Sequence, residues 1–171
     1  MSLRLAPILA VPLSVAQISV ASAAFSFSLN PNPSFGGIGT TVAVDLVATN
    51  TSASPNDLSF FTVTLNPGAG SDPDITLVNP TITYGPSIPF FGTALASGAS
   101  GTIGTFTEDI GPSASVFDTG IFTGTVVALD TLNEFSIQGI QLRTTAIPEP
   151  GALGLLAVGG LGVVATRRRR S

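Results

Sequence analysis

The sequence predicts an all-β fold, a single β-sandwich flanked by an N-terminal signal peptide and a C-terminal transmembrane sorting helix. Three observations carry this. Short stretches between Ala24 and Arg143 alternate apolar and polar residues with period two, the mark of strands with one buried face. Between Ala24 and Ala146 there are 19 Thr, 14 Gly and 9 Pro, a mixture that favours strands punctuated by turns over helices. The long uncharged apolar runs lie at the two ends of the 171-residue chain, where targeting segments belong.

Residues 1–23 have the three parts of a secretory signal. Arg4 gives a short positive region, Leu5 to Val20 an apolar stretch, and Ala21-Ser22-Ala23 a small-x-small cleavage site. Small side chains suit the shallow pocket of signal peptidase, so cleavage is expected between Ala23 and Ala24.

Residues 24–143 form the expected sandwich. Phe25 to Leu29 opens it, and Asn30-Pro31-Asn32-Pro33 turns the chain. Thr41 to Thr49 places Val42, Val44, Leu46 and Ala48 on one face. Phe61, Val63 and Leu65 alternate with Thr62 and Thr64, and Asn66-Pro67-Gly68 ends that run. Further strands are expected at Ile75 to Val78, Thr81 to Tyr84, Thr102 to Thr107, Ile121 to Leu129 and Glu134 to Leu142. In the last of these Phe135 and Ile137 share one face while Ile140 and Leu142 share the other, so a β-bulge at Gly139 is expected to bring both pairs to the core. Many short strands without helices indicate a sandwich. The Pro/Asn-rich start followed by a Val-alternating strand loosely resembles cohesin-like and immunoglobulin-like modules. Residues 144–146 are expected to be a short tether.

The end of the chain, residues 147–171, carries the most information. Ile147-Pro148-Glu149-Pro150 precedes 16 uncharged residues, Gly151 to Thr166, and then Arg167, Arg168, Arg169 and Arg170. A helix over 151–166 covers about 24 Å, short of a hydrocarbon core of about 30 Å, a gap that local thinning and Arg snorkelling close. The Arg cluster stays on the cytoplasmic side and acts as a membrane stop, with the body outside. Pro148 and Pro150 disfavour helix at the preceding residues, so the tripeptide is presented as an extended segment that an enzyme can grip. The order tripeptide, apolar helix, Arg run resembles the PEP-CTERM sorting signal of Gram-negative bacteria. The resemblance implies processing at Pro148-Glu149-Pro150 by an exosortase-like membrane enzyme, and hosts that make exopolysaccharide and biofilm matrix. Ile147 stands where Val is more usual.

Composition narrows the chemistry. The chain has no His, Cys, Lys or Trp. That removes Ser-His-Asp, Cys-His and Ser-Lys arrangements and the usual zinc sites. No catalytic residues, metal or cofactor are expected, and a carboxylate pair for glycoside hydrolysis has no spacing to support it. Between Ala24 and Ala146 nine acidic residues face one Arg, a net charge of −8, which repels nucleic acid. Asp72-Pro73-Asp74 and Glu108-Asp109 offer oxygen ligands for Ca²⁺ but read first as turn carboxylates. Gly98, Gly101 and Gly104 lack the Lys and helix of a phosphate loop. Asn50-Thr51-Ser52 is a formal glycosylation acceptor, and Phe60-Phe61 and Phe90-Phe91 each put a ring on either face of a strand. The expectation is an exported, non-enzymatic surface or matrix protein. Its expected partners are signal peptidase, an exosortase-like enzyme, the membrane and exopolysaccharide. The alternative is a glycan- or protein-binding adhesion module held permanently by its C-terminal helix.

Overall fold

The computed structural model describes residues 24–85 and 89–148, and its described secondary structure is entirely β. Nine strands run in chain order: β1 Phe25–Asn30, β2 Ser34–Gly37, β3 Thr41–Asn50, β4 Leu58–Pro67, β5 Ile75–Leu77, β6 Thr81–Tyr84, β7 Ser100–Ile110, β8 Thr119–Asp130 and β9 Phe135–Ile147. They form two sheets, one in the order β1-β3-β7-β5 and one in the order β2-β9-β8-β4-β6. All named pairings are antiparallel except β2 with β9.

The core lies between the sheets and is built from the inward face of each strand. Phe25, Leu46 and Phe106 come from the four-stranded sheet, and Phe61, Phe122 and Leu142 from the five-stranded one; all are fully buried. Each is one member of an alternating run, so the period-two pattern is what fills the core. Val44, Leu46 and Ala48 point inward as expected, as do Phe61, Val63 and Leu65. Phe61 also stacks on Tyr84 with ring centroids 5.8 Å apart and meets Phe90 edge-on at 5.3 Å. Phe60 turns to the outer face. Phe90 and Phe91 lie in the segment after β6, partly buried against the core, and contact each other edge-on at 5.0 Å.

Three expectations need correction. The pairing of β9 with β8 runs in continuous register from Thr145 to Phe135, so there is no bulge at Gly139. Phe135 and Ile137 are instead exposed, at 65% and 68%. The inward positions between them are polar because they serve another strand. Ser136 Oγ accepts from the Phe25 amide, while Gln138 accepts from the Phe27 amide and donates to the Phe27 carbonyl. These two side chains satisfy the free edge of β1, which backbone pairing leaves open.

The second correction is a strand absent from the sequence reading. β2, with the sequence SFGG, is short and pairs in parallel with a segment over a hundred residues away. Gly36 lets β2 lie close to β3 and β7, since a Cβ there would stand 2.3 Å from Val42 Cγ2 and 2.6 Å from Ile110 Cδ1, and those side-chain ends would have to shift. The third is that residues 144–146 are no tether. They belong to β9, which runs to Ile147, with Thr144 and Ala146 fully buried.

Candidate functional site

The last four residues of β9 are the launch point of the C-terminal tail. Thr144 to Ile147 pair with Ser34 to Gly37 of β2 on one side, and Thr144 and Thr145 with Gly120 and Thr119 of β8 on the other. The loop between β7 and β8 closes over the same spot. Phe117 donates its amide to the Ala146 carbonyl at 2.8 Å, and Ala146 donates to the Asp118 carbonyl at 2.9 Å. The loop is braced internally by the Asp118 amide on the Ser115 carbonyl and by the Ser115 amide on the Asp118 carboxylate.

Behind the strand end lies a buried polar ring that joins the two sheets. Glu108 of β7 points inward and is fully buried. Its carboxylate takes Ser34 Oγ of β2 at 2.8 Å and the Thr144 hydroxyl of β9, and the two hydroxyls stand 2.6 Å apart. Burial pushes the Glu108 carboxyl above its ordinary value, against the two hydroxyl bonds that favour the charged form. The ring pins the exit strand to the far sheet.

A second buried polar group lies at the opposite end of β9. Asn56 Nδ2 donates to Asp130 Oδ2 at 2.6 Å, and Asp130 Oδ1 accepts from the amides of Leu132 and Glu134. Asp57 Oδ1 accepts from the amides of Leu58 and Phe91. Asp57 Oδ2 is a buried oxygen without a hydrogen-bond partner. These side chains shape the β8–β9 turn and the approach to β4.

The structure separates the residues singled out as possible ligands. Glu108 faces the core while its neighbour Asp109 is exposed on the other face, so the two do not converge. Asp72 Oδ1 accepts from the Asp74 amide, a local turn bond. Among the described residues no three or more acidic side chains converge to hold a metal ion. Asn50 is buried, with its amide nitrogen on the carbonyls of Ser54 and Leu95, which leaves no room for a glycan. Gly98 and Gly101 lie beside it where the chain enters β7, with the Gly98 amide on the Asn50 carbonyl.

Of the signal-peptidase site, Ala24 is described. It is buried at the head of β1, and its carbonyl accepts from Thr51. Ala21 and Ala23 lie outside the described residues, as does the whole of 1–23. Pro148 is the last described residue of the sorting motif. Glu149, Pro150, the expected helix 151–166 and Arg167 to Arg170 lie outside. Among the described residues no helix is long and apolar enough to cross a membrane.

Sequence reading missed the collar around the exit. Phe117 is 75% exposed and Phe35, paired with Thr145, is 58% exposed. Phe117 adopts φ +75°, a conformation that no pattern in the loop sequence signals.

Several solved structures are similar in part. The sixth cohesin of Acetivibrio cellulolyticus scaffoldin B is 14% identical, with 72% of this chain and 99% of that one covered and a TM-score of 0.47. The native conformation of E. coli alpha-2-macroglobulin matches at 21% identity over 74% of this chain, with a TM-score of 0.44; the chain spans 7% of that protein's length. A PapD-like domain of human CEP192 is 11% identical, with 83% of this chain and 99% of that one covered and a TM-score of 0.41. No curated protein matches the chain. The tail does match a family model, over residues 146–170. Its motif is a substrate signal for exosortase processing and implies export with membrane-associated sorting. Carried from the buried end of β9 onward, residues 146–170 are a PEP-CTERM protein-sorting motif.

Proposed function

We propose that the chain is an exported, non-enzymatic protein of the cell surface or extracellular matrix, processed at Pro148-Glu149-Pro150 by an exosortase-like membrane enzyme. The match of residues 146–170 to the sorting motif is the observation that carries this reading. The apolar run and small-x-small site of residues 1–23 fit the same route, with signal peptidase acting first. Gly151 to Thr166 spans the membrane until processing, with Arg167 to Arg170 on the inner side. The body serves structure rather than catalysis. It lacks His, Cys and Lys, and Glu108, its most deeply buried acid, is engaged in holding β2 and β9 to β7. Its role is in matrix or exopolysaccharide association.

A binding role in adhesion, with the tail as permanent anchor, is the second reading. The outer face of the five-stranded sheet favours it. Phe60, Leu129 and Phe135 stand in one cross-strand row, with Val127 and Ile137 in the next. Phe135 and Ile137 are exposed and the other three half-buried, and apolar rows of this kind mark contact surfaces.

Intact-mass analysis of the protein from producing cells and medium tests both. A product starting at Ala24 and ending near Pro148 to Pro150 is expected. A product retaining Gly151 to Ser171 overturns processing and favours the permanent anchor. Replacing Pro148, Glu149 and Pro150 with Ala is expected to abolish the processed form; unchanged processing and location would refute the proposal.

A further inference from the structure

The exit of β9 is flanked by apolar side chains that the core does not use. Phe117 and Phe35 are the two most exposed aromatic rings near it, and Val116 stands beside Phe117 with over a third of its surface exposed. The Phe117 amide is bonded to Ala146, and Phe35 is in register with Thr145. The backbones that carry both rings are therefore fixed beside the final residues of the strand. Phe117 also holds φ +75°, a left-handed conformation in which a bulky residue is strained and Gly is not. The backbone turn does not need the ring, and the ring adds little to the core.

Chain length decides what these rings face. Ile147 is the last residue paired to β2, and the apolar stretch begins at Gly151. Four residues reach at most about 14 Å fully extended. The headgroup layer on each side of the hydrocarbon is roughly 5–8 Å thick. The end of β9 is thus held within about 6–9 Å of the headgroup surface, a distance that a side chain at the rim of the sandwich can close.

We propose that this end of the sandwich seats on the lipid surface, with Phe117, Phe35 and Val116 inserted at headgroup depth. This rests on the reading of Gly151 to Thr166 as a membrane segment. The occupant of the collar is lipid because the tail carries the collar to it. Apolar side chains at such a surface embed shallowly and hold orientation. The same end of the domain carries Asp72, Asp74, Asp109 and Asp118, on the β7–β8 loop, the end of β7 and the approach to β5. The contact is therefore apolar and suits zwitterionic lipid, while anionic headgroups oppose it. The seat sets the height and angle at which Pro148 meets a membrane enzyme. The β8–β9 turn points away, β9 itself being about 40 Å long.

The chain has no Cys, so single Cys positions report cleanly. The full chain is reconstituted in phosphatidylcholine vesicles with an environment-sensitive fluorophore at Val116→Cys, at Leu132→Cys on the far turn, or at Gly160→Cys in the tail. Quenching is read from a quencher attached to the lipid headgroup and from one set deep in the acyl chains. The label at 116 is expected to be quenched by the headgroup quencher several-fold more than the label at 132, and less once phosphatidylglycerol is added. Equal quenching at 116 and 132, with the label at 160 quenched from the acyl chains, overturns the proposal and leaves the membrane reading of the tail standing. An unquenched label at 160 overturns both. Phe117→Gly keeps the turn, because Gly accepts φ +75°. In that background with Phe35→Ser, the signal at 116 is expected to fall to the level at 132. An unchanged signal means the rings do not hold the surface, and the proposal fails.

Discussion

Ser34 Oγ lies 2.8 Å from Glu108 Oε2 and so joins β2, an edge strand of the five-stranded sheet, to β7, an inner strand of the four-stranded one. With Thr144 the pair makes a closed ring at the root of the sorting tail. Such a ring has a protonated and an ionised form, and burial favours the protonated one.

Glu108→Gln is expected to keep the ring. The amide donates to one hydroxyl and its oxygen accepts from the other, so stability at neutral pH is expected to stay within about 1 kcal/mol of the parent or to rise. The pH profile separates the two proteins. A carboxyl whose folded value is raised binds its proton in the folded state over a range where the unfolded chain has released it. Its contribution is fully present below the ordinary value of 4.5 and is lost as pH rises through the higher folded value. Urea denaturation across that range is expected to show the parent losing stability relative to Glu108→Gln as pH increases. A difference that stays flat with pH would contradict the assignment. Glu108→Ala leaves a cavity and takes the carboxyl partner from both hydroxyls, and is expected to cost about 2–4 kcal/mol.

The outer face of β9 gives a second prediction. Phe135 and Ile137 project into solvent, while Leu142 on the same strand is fully buried. Phe135→Ser and Ile137→Thr are expected to change stability by less than about 1 kcal/mol, and Leu142→Ala to cost about 2–5 kcal/mol. Thermal melts of the three variants check this. A bulge at Gly139 with both aromatic and aliphatic pairs in the core would make all three costly.

That contrast also marks how far sequence reading reached. β3 and β4 were legible because each buries one whole face, and alternation is what a buried face leaves in a sequence. The start of β9 was misread because Ser136 and Gln138 point inward to serve the β1 backbone, a requirement set by a strand 111 residues away. β2 was invisible for a related reason. Gly36 suits close approach to Val42 of β3 and Ile110 of β7, and Gly carries no pattern. The tail was legible because its signal is local and contiguous. The collar was not, because Phe117 reaches the β9 exit through a turn bonded to Ala146 and nothing near it in sequence points there.

Glycines in the five-stranded sheet give a ranking. A Cβ on Gly124 would stand 2.2 Å from the Thr64 carbonyl oxygen, whereas on Gly36 it would meet the side-chain ends of Val42 and Ile110. Side-chain tips can shift and a paired strand backbone cannot do so cheaply. Gly124→Ala is expected to cost about 3 kcal/mol or more, and Gly36→Ala about 1–2 kcal/mol. Denaturant midpoints at unchanged slope read the ranking, and the reverse order would contradict the placement of β8 against β4.

The last prediction concerns where the folded body ends. Thr144 to Ile147 supply the whole partner of β2, the carbonyl for Phe117 and one hydroxyl of the Glu108 ring. A body of residues 24–148 keeps all of these; one of residues 24–143 loses them together, although the residues removed look like linker. Removal strands β2, leaves Glu108 with one hydroxyl, and opens the buried sites of Thr144 and Ala146. The loss is expected to be at least about 3 kcal/mol, a large share of the roughly 5–15 kcal/mol that holds a domain together. In a thermal melt that is a fall of about 10 °C or more, or no cooperative transition at all. Equal melting of the two bodies would mean that β9 ends early and that the tail hangs on a free tether. The longer body melting well above the shorter one means that a cut at Pro148 to Pro150 leaves the sandwich whole, while a cut only a few residues earlier removes a core strand end.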